Sequence, residues 1–360
     1  MAAALTSSGV AVFTLDGVAD AYASAEVDGG VSRWIRLADR VIRLRFADDR
    51  LLRLVDAFAH LECEPTDGPD LTIHFWDSPG VQPPFPPADV PDDAPHGLRI
   101  MWQDGRRRAC HQPGQQTLSA LDLENGQAWF WVQDEAVLPY WEHAAPARMI
   151  LSWWLHDQGC NLVHGAAVGT EHGGALIVGK GGSGKSTTAL LSLLAGLSYA
   201  SDDYVVVERD RRGEGPYVHS AFGSGKLDER QAERFPQLAS SIVNPHRAPD
   251  EKAVFLVNRF APERMTSGFA LRTVIVPRIT GEPDTRARRG SSIAALASLA
   301  PSTIFQIPGS PDAELKAMAD LVRSVPNHVL ELGTDFAQIP SAIADLLAEL
   351  DDPANGAHRG

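Results

Sequence analysis

Residues 173–191 read GGALIVGKGGSGKSTTALL, an apolar run followed by a glycine-rich loop and the start of a helix. Gly179, Gly184, Lys185 and Ser186 satisfy the pattern G-x-x-x-x-G-K-[ST], in which successive backbone N–H groups turn inward around phosphate oxygens. Glycines are needed because side chains would collide with the phosphates, and the helix N-terminus adds positive potential. The stretch therefore predicts a nucleotide site.

Two side chains of this loop have chemistry of their own. Lys185 supplies a mobile positive charge to the β- and γ-phosphates, and the Ser186 hydroxyl can ligate Mg²⁺. We therefore expect ATP or GTP together with Mg²⁺. The loop leaves the reaction open, because motors, switches, kinases and carboxykinases all use loops of this kind. The predicted nucleotide-binding residues are Gly179, Lys180, Gly181, Gly182, Ser183, Gly184, Lys185, Ser186 and Thr187.

Two adjacent carboxylates, Asp202 and Asp203, follow a short apolar run soon after the loop helix. We expect them at the carboxyl end of a strand beside the phosphate loop, where ligands of open α/β sheets bind. One carboxylate can then hold Mg²⁺ while its neighbour handles a proton. The alternative is that this aspartate pair only caps a hairpin.

A histidine, His164, precedes the loop at the end of the predicted strand NLVHGAAVGT. We expect this strand to neighbour the loop strand, so that His164 hydrogen-bonds a catalytic carboxylate and tunes its basicity. A single histidine near an apolar strand is otherwise often a satisfied core residue. Its position relative to the loop and the aspartates favours the catalytic interpretation.

Bulk properties exclude several classes of protein. The net charge of -14 and the pI of about 5.3 provide no basic field for a nucleic acid backbone. Cys63, Cys110 and Cys160 are isolated, so we expect three reduced thiols in a reducing cytoplasm and no zinc or redox pair. No window of 18 apolar residues occurs, and the sequence predicts no membrane partner.

The 360 residues predict two domains. We expect a β-rich domain over 1–145, with strands that include VAVFTL, RVIRLRF and LTIHFW, and a mobile proline-rich connection over 77–97. A P-loop α/β domain follows over 146–350, opening with a helix in PARMILSWWLHDQG. Residues 351–360 are expected to form a frayed tail.

The run HGAAVGTEHGGALIVGKGGSGKSTTALLSLLAGLSYASDD resembles the catalytic core of HPr kinase/phosphorylase and of the HPr-kinase-like serine kinases of bacterial peptide-modification clusters, including lasso peptide precursor kinases. The resemblance is strong over residues 161–208 and looser towards the C-terminus. It implies an ATP- and Mg²⁺-dependent serine kinase with a fold similar to phosphoenolpyruvate carboxykinase. It also implies that Asp202 is the catalytic base, that Asp203 is the metal-side carboxylate beside Ser186, and that His164 supports Asp202.

Departures from the family pattern narrow this expectation. Thr187 stands where HPr kinases usually carry Glu, and no second glycine-rich signature follows the aspartate pair. The first 145 residues do not resemble the N-terminal domain of HPr kinase, so we expect this module to recognise the substrate. These differences favour a kinase of a small protein or peptide over HPr kinase/phosphorylase proper.

Basic residues outside the loop offer secondary candidates. The chain has five lysines and 27 arginines, and Lys226 follows the aspartate strand, from which it could reach the γ-phosphate or the acceptor. Arg286, Arg288 and Arg289 could contact an acidic peptide or the nucleotide. Solvated loop positions are the alternative for all four.

Three functions remain open from the sequence. A kinase transfers phosphate to a serine of a small protein or peptide; a nucleotide hydrolase releases phosphate equally well without an acceptor; a binding module uses ATP only to order its structure. The sequence also permits a homo-oligomer.

Overall fold

The structure is a computed structural model that describes residues 13–26, 28–80, 98–306 and 311–352. The chain forms two compact units. The first comprises residues 1–34, 41–53 and 64–139, and the second comprises 35–40, 54–63 and 140–360. Compactness does not show that either unit folds alone, so the predicted domain boundary near residue 145 stays a prediction.

The α-helices are α1 (Leu15–Ala25), α2 (Tyr140–Ala144), α3 (Arg148–Asp157), α4 (Lys185–Leu194), α5 (Glu229–Arg234), α6 (Val257–Phe260), α7 (Ser292–Gln306), α8 (Pro311–Ser324) and α9 (Gln338–Asp351). The strands before the phosphate loop are β1 (Val31–Leu37), β2 (Arg40–Phe46), β3 (Leu71–Asp77), β4 (Ile100–Asp104), β5 (Arg107–Gln112), β6 (Thr117–Asp122), β7 (Gln127–Val132), β8 (Cys160–His164), β9 (Ala166–Thr170) and β10 (Gly173–Ile177). Those after it are β11 (Ser198–Ser201), β12 (Tyr204–Glu208), β13 (Tyr217–Ser220), β14 (Ser224–Leu227), β15 (Ala253–Leu256), β16 (Gly268–Ile279), β17 (Arg286–Arg289) and β18 (Asn327–Leu332).

The N-terminal sheet has the strand order β1-β2-β3-β7-β6-β5-β4 and is mixed, with β3 parallel to both β2 and β7. Helix α1 covers it with Leu15, Val18 and Tyr22, which pack against Trp129 and Trp131 among other buried residues. The predicted strand VAVFTL is wrong at its end, because Leu15 opens a helix capped by the Thr14 side chain, which accepts the Gly17 N–H. Residues 10–12 of that run lie outside the described residues.

The second unit contains a nine-stranded sheet. Its main path is β11-β9-β10-β16-β13-β12-β8, and β18 joins β16 to β17. Side chains alternate between its two faces, as the pleat of a strand requires. On one face Ala175 and Ile177 of β10 pack with helices α4 and α9, and on the other Leu176 packs with α7 and α8. Helices therefore cover both sides of the sheet.

This architecture confirms the predicted α/β class, with sheets and helices in both the loop region and the C-terminal region. The predicted single strand NLVHGAAVGT is instead two strands, β8 and β9, separated by Gly165. Most of the proline-rich connection and most of the predicted tail lie outside the described residues, so those two predictions stay untested. Within the part of the chain that the structure describes, no helix has both the length and the apolar character needed to cross a membrane.

Candidate active site

The phosphate-loop sequence lies between β10 and α4, as the strand–loop–helix pattern predicts. Gly184 caps the helix with a φ of 100°, a conformation that favours glycine. A Cβ at this position would lie 2.6 Å from Cδ1 of Leu332 in β18. The turn into α4 is thus packed against the neighbouring strand, and only glycine fits there.

The loop lysine is held inside the loop. Lys185 is 8% exposed, and its Nζ donates to the Gly179 carbonyl at 2.6 Å and more weakly to the Lys180 carbonyl at 3.4 Å. Burial lowers its pKa, against the nearby charges of Asp202 and Asp203, which act to raise it. A bound phosphate would offer this ammonium an anionic acceptor in place of two neutral carbonyls.

The remaining loop residues divide by exposure. Lys180, Gly181 and Gly182 are exposed, whereas Ser183 and Thr187 are partly buried. The Thr187 hydroxyl accepts from Nε2 of Gln231 at 2.7 Å. The position where the family pattern has Glu therefore contacts helix α5 here.

The aspartate pair joins β11 to β12, two consecutive strands that do not pair with each other. β11 pairs with β9, and β12 pairs with β8 and β13. The structure therefore does not support the simple hairpin-cap alternative. It places the pair beside the phosphate loop, because the Ser186 side chain is near enough to Asp202 to act on the pKa of its carboxyl.

Asp202 is 4% exposed. Its Oδ2 accepts the backbone N–H of Lys226 at 3.1 Å, and its Oδ1 is buried with no hydrogen-bond partner among the described residues. Burial, followed by the charge of Asp203, raises the pKa of this carboxyl. Asp202 thus has one buried oxygen whose hydrogen-bonding capacity no described residue satisfies.

Asp203 has the opposite environment. Its Oδ1 lies 3.0 Å from Nε2 of His164, and its Oδ2 accepts from Nζ of Lys226 at 2.5 Å. Burial alone would raise its pKa, but the charge of Lys226 and the contact with His164 hold that pKa well below its usual range. The charged form of the Asp203 carboxylate is therefore favoured.

The position of His164 corrects the sequence prediction in two respects. Its strand β8 pairs with β12, not with the loop strand β10, and the register sets His164 opposite Tyr204. The histidine consequently contacts Asp203 and not Asp202, the carboxylate that it was predicted to support. The Gly165 N–H also donates to the Asp203 carbonyl at 3.0 Å, which fixes this junction.

Lys226 is neither in a loop nor solvated. It lies in β14, and its side chain is 13% exposed. By contrast, the four residues of β17 that include the predicted arginines are all exposed. Arg286 pairs with Asp284, and Arg288 pairs with Glu331. The structure therefore does not bring these two arginines to Asp202 or Asp203.

Sequence reasoning missed two residues near the site. The Tyr140 ring centroid lies 5.9 Å from Nζ of Lys226, and nothing in its sequence context marks it. The charge of Lys252 acts on Lys185. Lys252 directly precedes β15, the partner strand of β14, which carries Lys226. The small number of lysines in the chain was the signal that could have singled it out.

The side-chain oxygens beside the loop provide some, but not all, of the ligands that Mg²⁺ needs. The Ser186 hydroxyl adjoins Asp202, whose Oδ1 is buried and unpartnered among the described residues. Both oxygens of Asp203, the predicted metal ligand, are already engaged by His164 and Lys226. In the described ranges no group of three or more His, Cys, Asp or Glu side chains is placed to hold a metal.

The three cysteines are free. Burial raises the pKa of Cys110 to about 12 and that of Cys160 to about 11, so neither thiol is activated as a nucleophile.

Comparisons with known proteins were made over the whole chain. No protein-family model matches it. No curated protein matches it either. Among solved structures, the HPr(Ser) kinase/phosphatase from Coxiella burnetii matches with a TM-score of 0.31 and 11% sequence identity, covering 53% of this chain and 99% of that chain. A likeness at this level does not assign the chain to that family.

Proposed function

We propose that this chain is an ATP-dependent kinase that transfers the γ-phosphoryl group to a serine hydroxyl of a small protein or peptide. The observation that carries the proposal is the proximity of Ser186 in the phosphate loop to Asp202, one of two adjacent aspartates. Transfer to a hydroxyl needs a phosphate cradle and a proton acceptor side by side, and this placement brings the two together.

Asp202 is the proposed proton acceptor. Its Oδ1 is unpartnered among the described residues, and burial together with the charge of Asp203 raises its pKa towards the range that suits a general base. Asp203 is a weaker candidate, because its two oxygens already accept from His164 and Lys226. The opposite environments of the two carboxylates support a division of labour between them.

Lys185 and the loop amides position the triphosphate in this proposal. Ser186 would hold Mg²⁺ together with phosphate oxygens and waters. Bound Mg²⁺ would supply neutralisation of the charge between the β- and γ-phosphates. If Asp203 held Mg²⁺, its hydrogen bond with His164 or with Lys226 would have to break. We therefore propose Ser186 as the first protein ligand of Mg²⁺.

The acceptor is proposed from the sequence resemblance. The resemblance to the peptide-kinase branch favours a precursor peptide over HPr as the acceptor. The N-terminal region is the proposed module that recognises this peptide. The test is mass spectrometry of peptides encoded beside the gene after incubation with the chain and Mg·ATP. We expect a serine to gain the mass of one phosphate.

Variants make this test specific. Asp202→Asn should keep nucleotide binding and lower transfer about 10²- to 10⁴-fold, the usual contribution of a general base. Lys185→Ala should abolish transfer, whereas Lys316→Ala, which changes an exposed lysine of α8, should not. Phosphate release that is undiminished without peptide would instead indicate a hydrolase, and normal transfer by Asp202→Asn would disprove the mechanism.

A further inference from the structure

Lys226 contacts both aspartates through different groups. Its backbone N–H donates to Oδ2 of Asp202 at 3.1 Å, and its ammonium donates to Oδ2 of Asp203 at 2.5 Å. These two contacts come from one residue of a short strand that lies outside the nine-stranded sheet. The relative placement of the two carboxylates thus depends on where β14 lies.

The strand that carries Lys226 is itself anchored at Ser224. The Ser224 hydroxyl donates to the Ala144 carbonyl at 2.6 Å, and its carbonyl accepts from the Tyr199 hydroxyl at 3.1 Å. On its other side β14 pairs with β15, with Lys226 opposite Val254. Because these contacts are buried, the Lys226 backbone is held before any ligand binds.

The ammonium group is also supported. The Tyr140 ring centroid lies 5.9 Å from it, within the range of a cation–π contact. A buried carboxylate pair would be strongly destabilised by mutual repulsion, and a triphosphate would add further negative charge. Lys226 supplies a positive charge at Asp203.

A lysine at position 226 is suited to neutralising the charge of Asp203. Of the five lysines in the chain, Lys180 and Lys185 lie in the loop, Lys226 contacts Asp203, Lys252 acts on Lys185 through its charge, and Lys316 is an exposed residue of α8. The other 27 positively charged side chains of the Lys and Arg total are arginines. A compact ammonium can satisfy one carboxylate oxygen without the width that a planar guanidinium needs.

We propose that Lys226 is a positioning residue for phosphoryl transfer, which orients Asp202 through its backbone and neutralises Asp203 through its ammonium. This inference rests on the proposed function. Because Lys226 acts through the aspartates and does not bind the nucleotide, its loss should affect the rate of transfer more than the affinity for ATP.

The test compares Lys226→Met, Lys226→Gln and Lys226→Arg with the wild-type chain, using Lys316→Met as the exposed control. kcat and KM for ATP are measured with the unphosphorylated form of the peptide that accepts phosphate in the mass-spectrometry test. For Lys226→Met we expect kcat to fall at least about 10-fold with KM for ATP changed less than about 3-fold, and we expect Lys226→Arg to recover part of the rate. Lys226→Gln keeps a hydrogen-bond donor and serves if the Met variant does not fold.

The outcomes are distinct. A wild-type kcat in Lys226→Met or Lys226→Gln overturns the positioning role while the kinase proposal stands. A rise in KM for ATP as large as the fall in kcat/KM also overturns it, because Lys226 would then bind the nucleotide. If the wild-type chain transfers no phosphate to any peptide, the proposed function fails and the positioning role fails with it.

Discussion

At the scale of single residues, Asp202 and Asp203 are neighbours with opposite charge environments. The pKa of Asp203 is depressed, chiefly by Lys226 against the effect of burial, so its carboxylate stabilises the fold at neutral pH. The pKa of Asp202 is raised by burial and by Asp203, so its charge is disfavoured. The two positions should therefore respond differently to the same substitution.

We expect Asp203→Asn to lower the free energy of unfolding by about 3 kcal/mol, because it leaves the Lys226 ammonium buried without its counter-charge. Asp202→Asn should change it by less than about 1 kcal/mol, since an amide oxygen can still accept the Lys226 N–H. Urea unfolding at pH 7 without nucleotide measures both. Equal losses would show that the two carboxylates are not distinguished by Lys226.

A second residue, Glu314 in α8, predicts a pH dependence of stability. It lines a small cavity with Ser152 and His156, and burial raises its pKa from 4.5 to about 7. Between these values the unfolded chain ionises and the folded chain does not, so stability falls as pH rises towards about 7. Above about pH 7 Glu314 is ionised in the folded chain as well, and its contribution to stability is fully lost.

Glu314→Gln should remove this dependence, because an amide does not titrate. We expect the variant to gain stability relative to the wild-type chain as the pH rises from about 5 to about 8. Thermal unfolding across this range measures the gain. Glu263→Gln, at a side chain that is 67% exposed, is the control and should show no such trend. Parallel pH curves for Glu314→Gln and the wild-type chain would contradict the assignment.

At the scale of elements, the junction between the phosphate loop and α4 depends on one glycine. Gly184 has a φ of 100°, and a Cβ there would meet Leu332, a buried residue of β18. Gly181 is the matched control, because a Cβ there meets nothing within 4 Å and its φ is not in the left-handed range.

We expect Gly184→Ala to lower the free energy of unfolding by more than about 1 kcal/mol and to abolish the rise in unfolding temperature on adding Mg·ATP. The strain acts on the turn that orients the loop amides, so both effects arise together. Gly181→Ala should unfold like the wild-type chain when no nucleotide is present. Matching unfolding curves for the two variants would refute the packing argument.

At the scale of the whole molecule, the unit that carries the phosphate loop includes residues from far upstream. Residues 54–63 belong to it: Nε2 of His60 lies 2.6 Å from the Ser220 hydroxyl, and the Ala57 carbonyl accepts the Gly223 N–H at 2.7 Å. The Phe58 ring packs against Phe222, which is 1% exposed. The unit is therefore not continuous in sequence.

A fragment of residues 140–360 should accordingly be less stable than the full chain. It lacks the segment that covers Phe222, and burying a phenylalanine side chain contributes about 2 kcal/mol. Urea unfolding of the fragment and of the full chain, followed by far-UV circular dichroism, measures the difference. A fragment that unfolds at the urea concentration of the full chain would show that residues 54–63 do not stabilise this unit.

The elements near the loop could be predicted because their signals are local. The order strand, glycine-rich loop and helix follows from apolar runs and glycine positions within 19 residues, and the structure has β10, the loop and α4 there. The N-terminal run VAVFTL was misread, because a short apolar run does not distinguish a strand from the start of a helix.

The sequence by itself determined the phosphate-loop spacing, the α/β class and the presence of an aspartate pair after a strand, since these depend on residues close together in the chain. Only the tertiary structure decided the partners of each carboxylate. His164 lies 39 residues from Asp203, and Lys226 lies 23 residues from it. The β8–β12 register and the position of β14 bring them together, and long-range strand pairing is set by how whole faces pack, which no local pattern encodes.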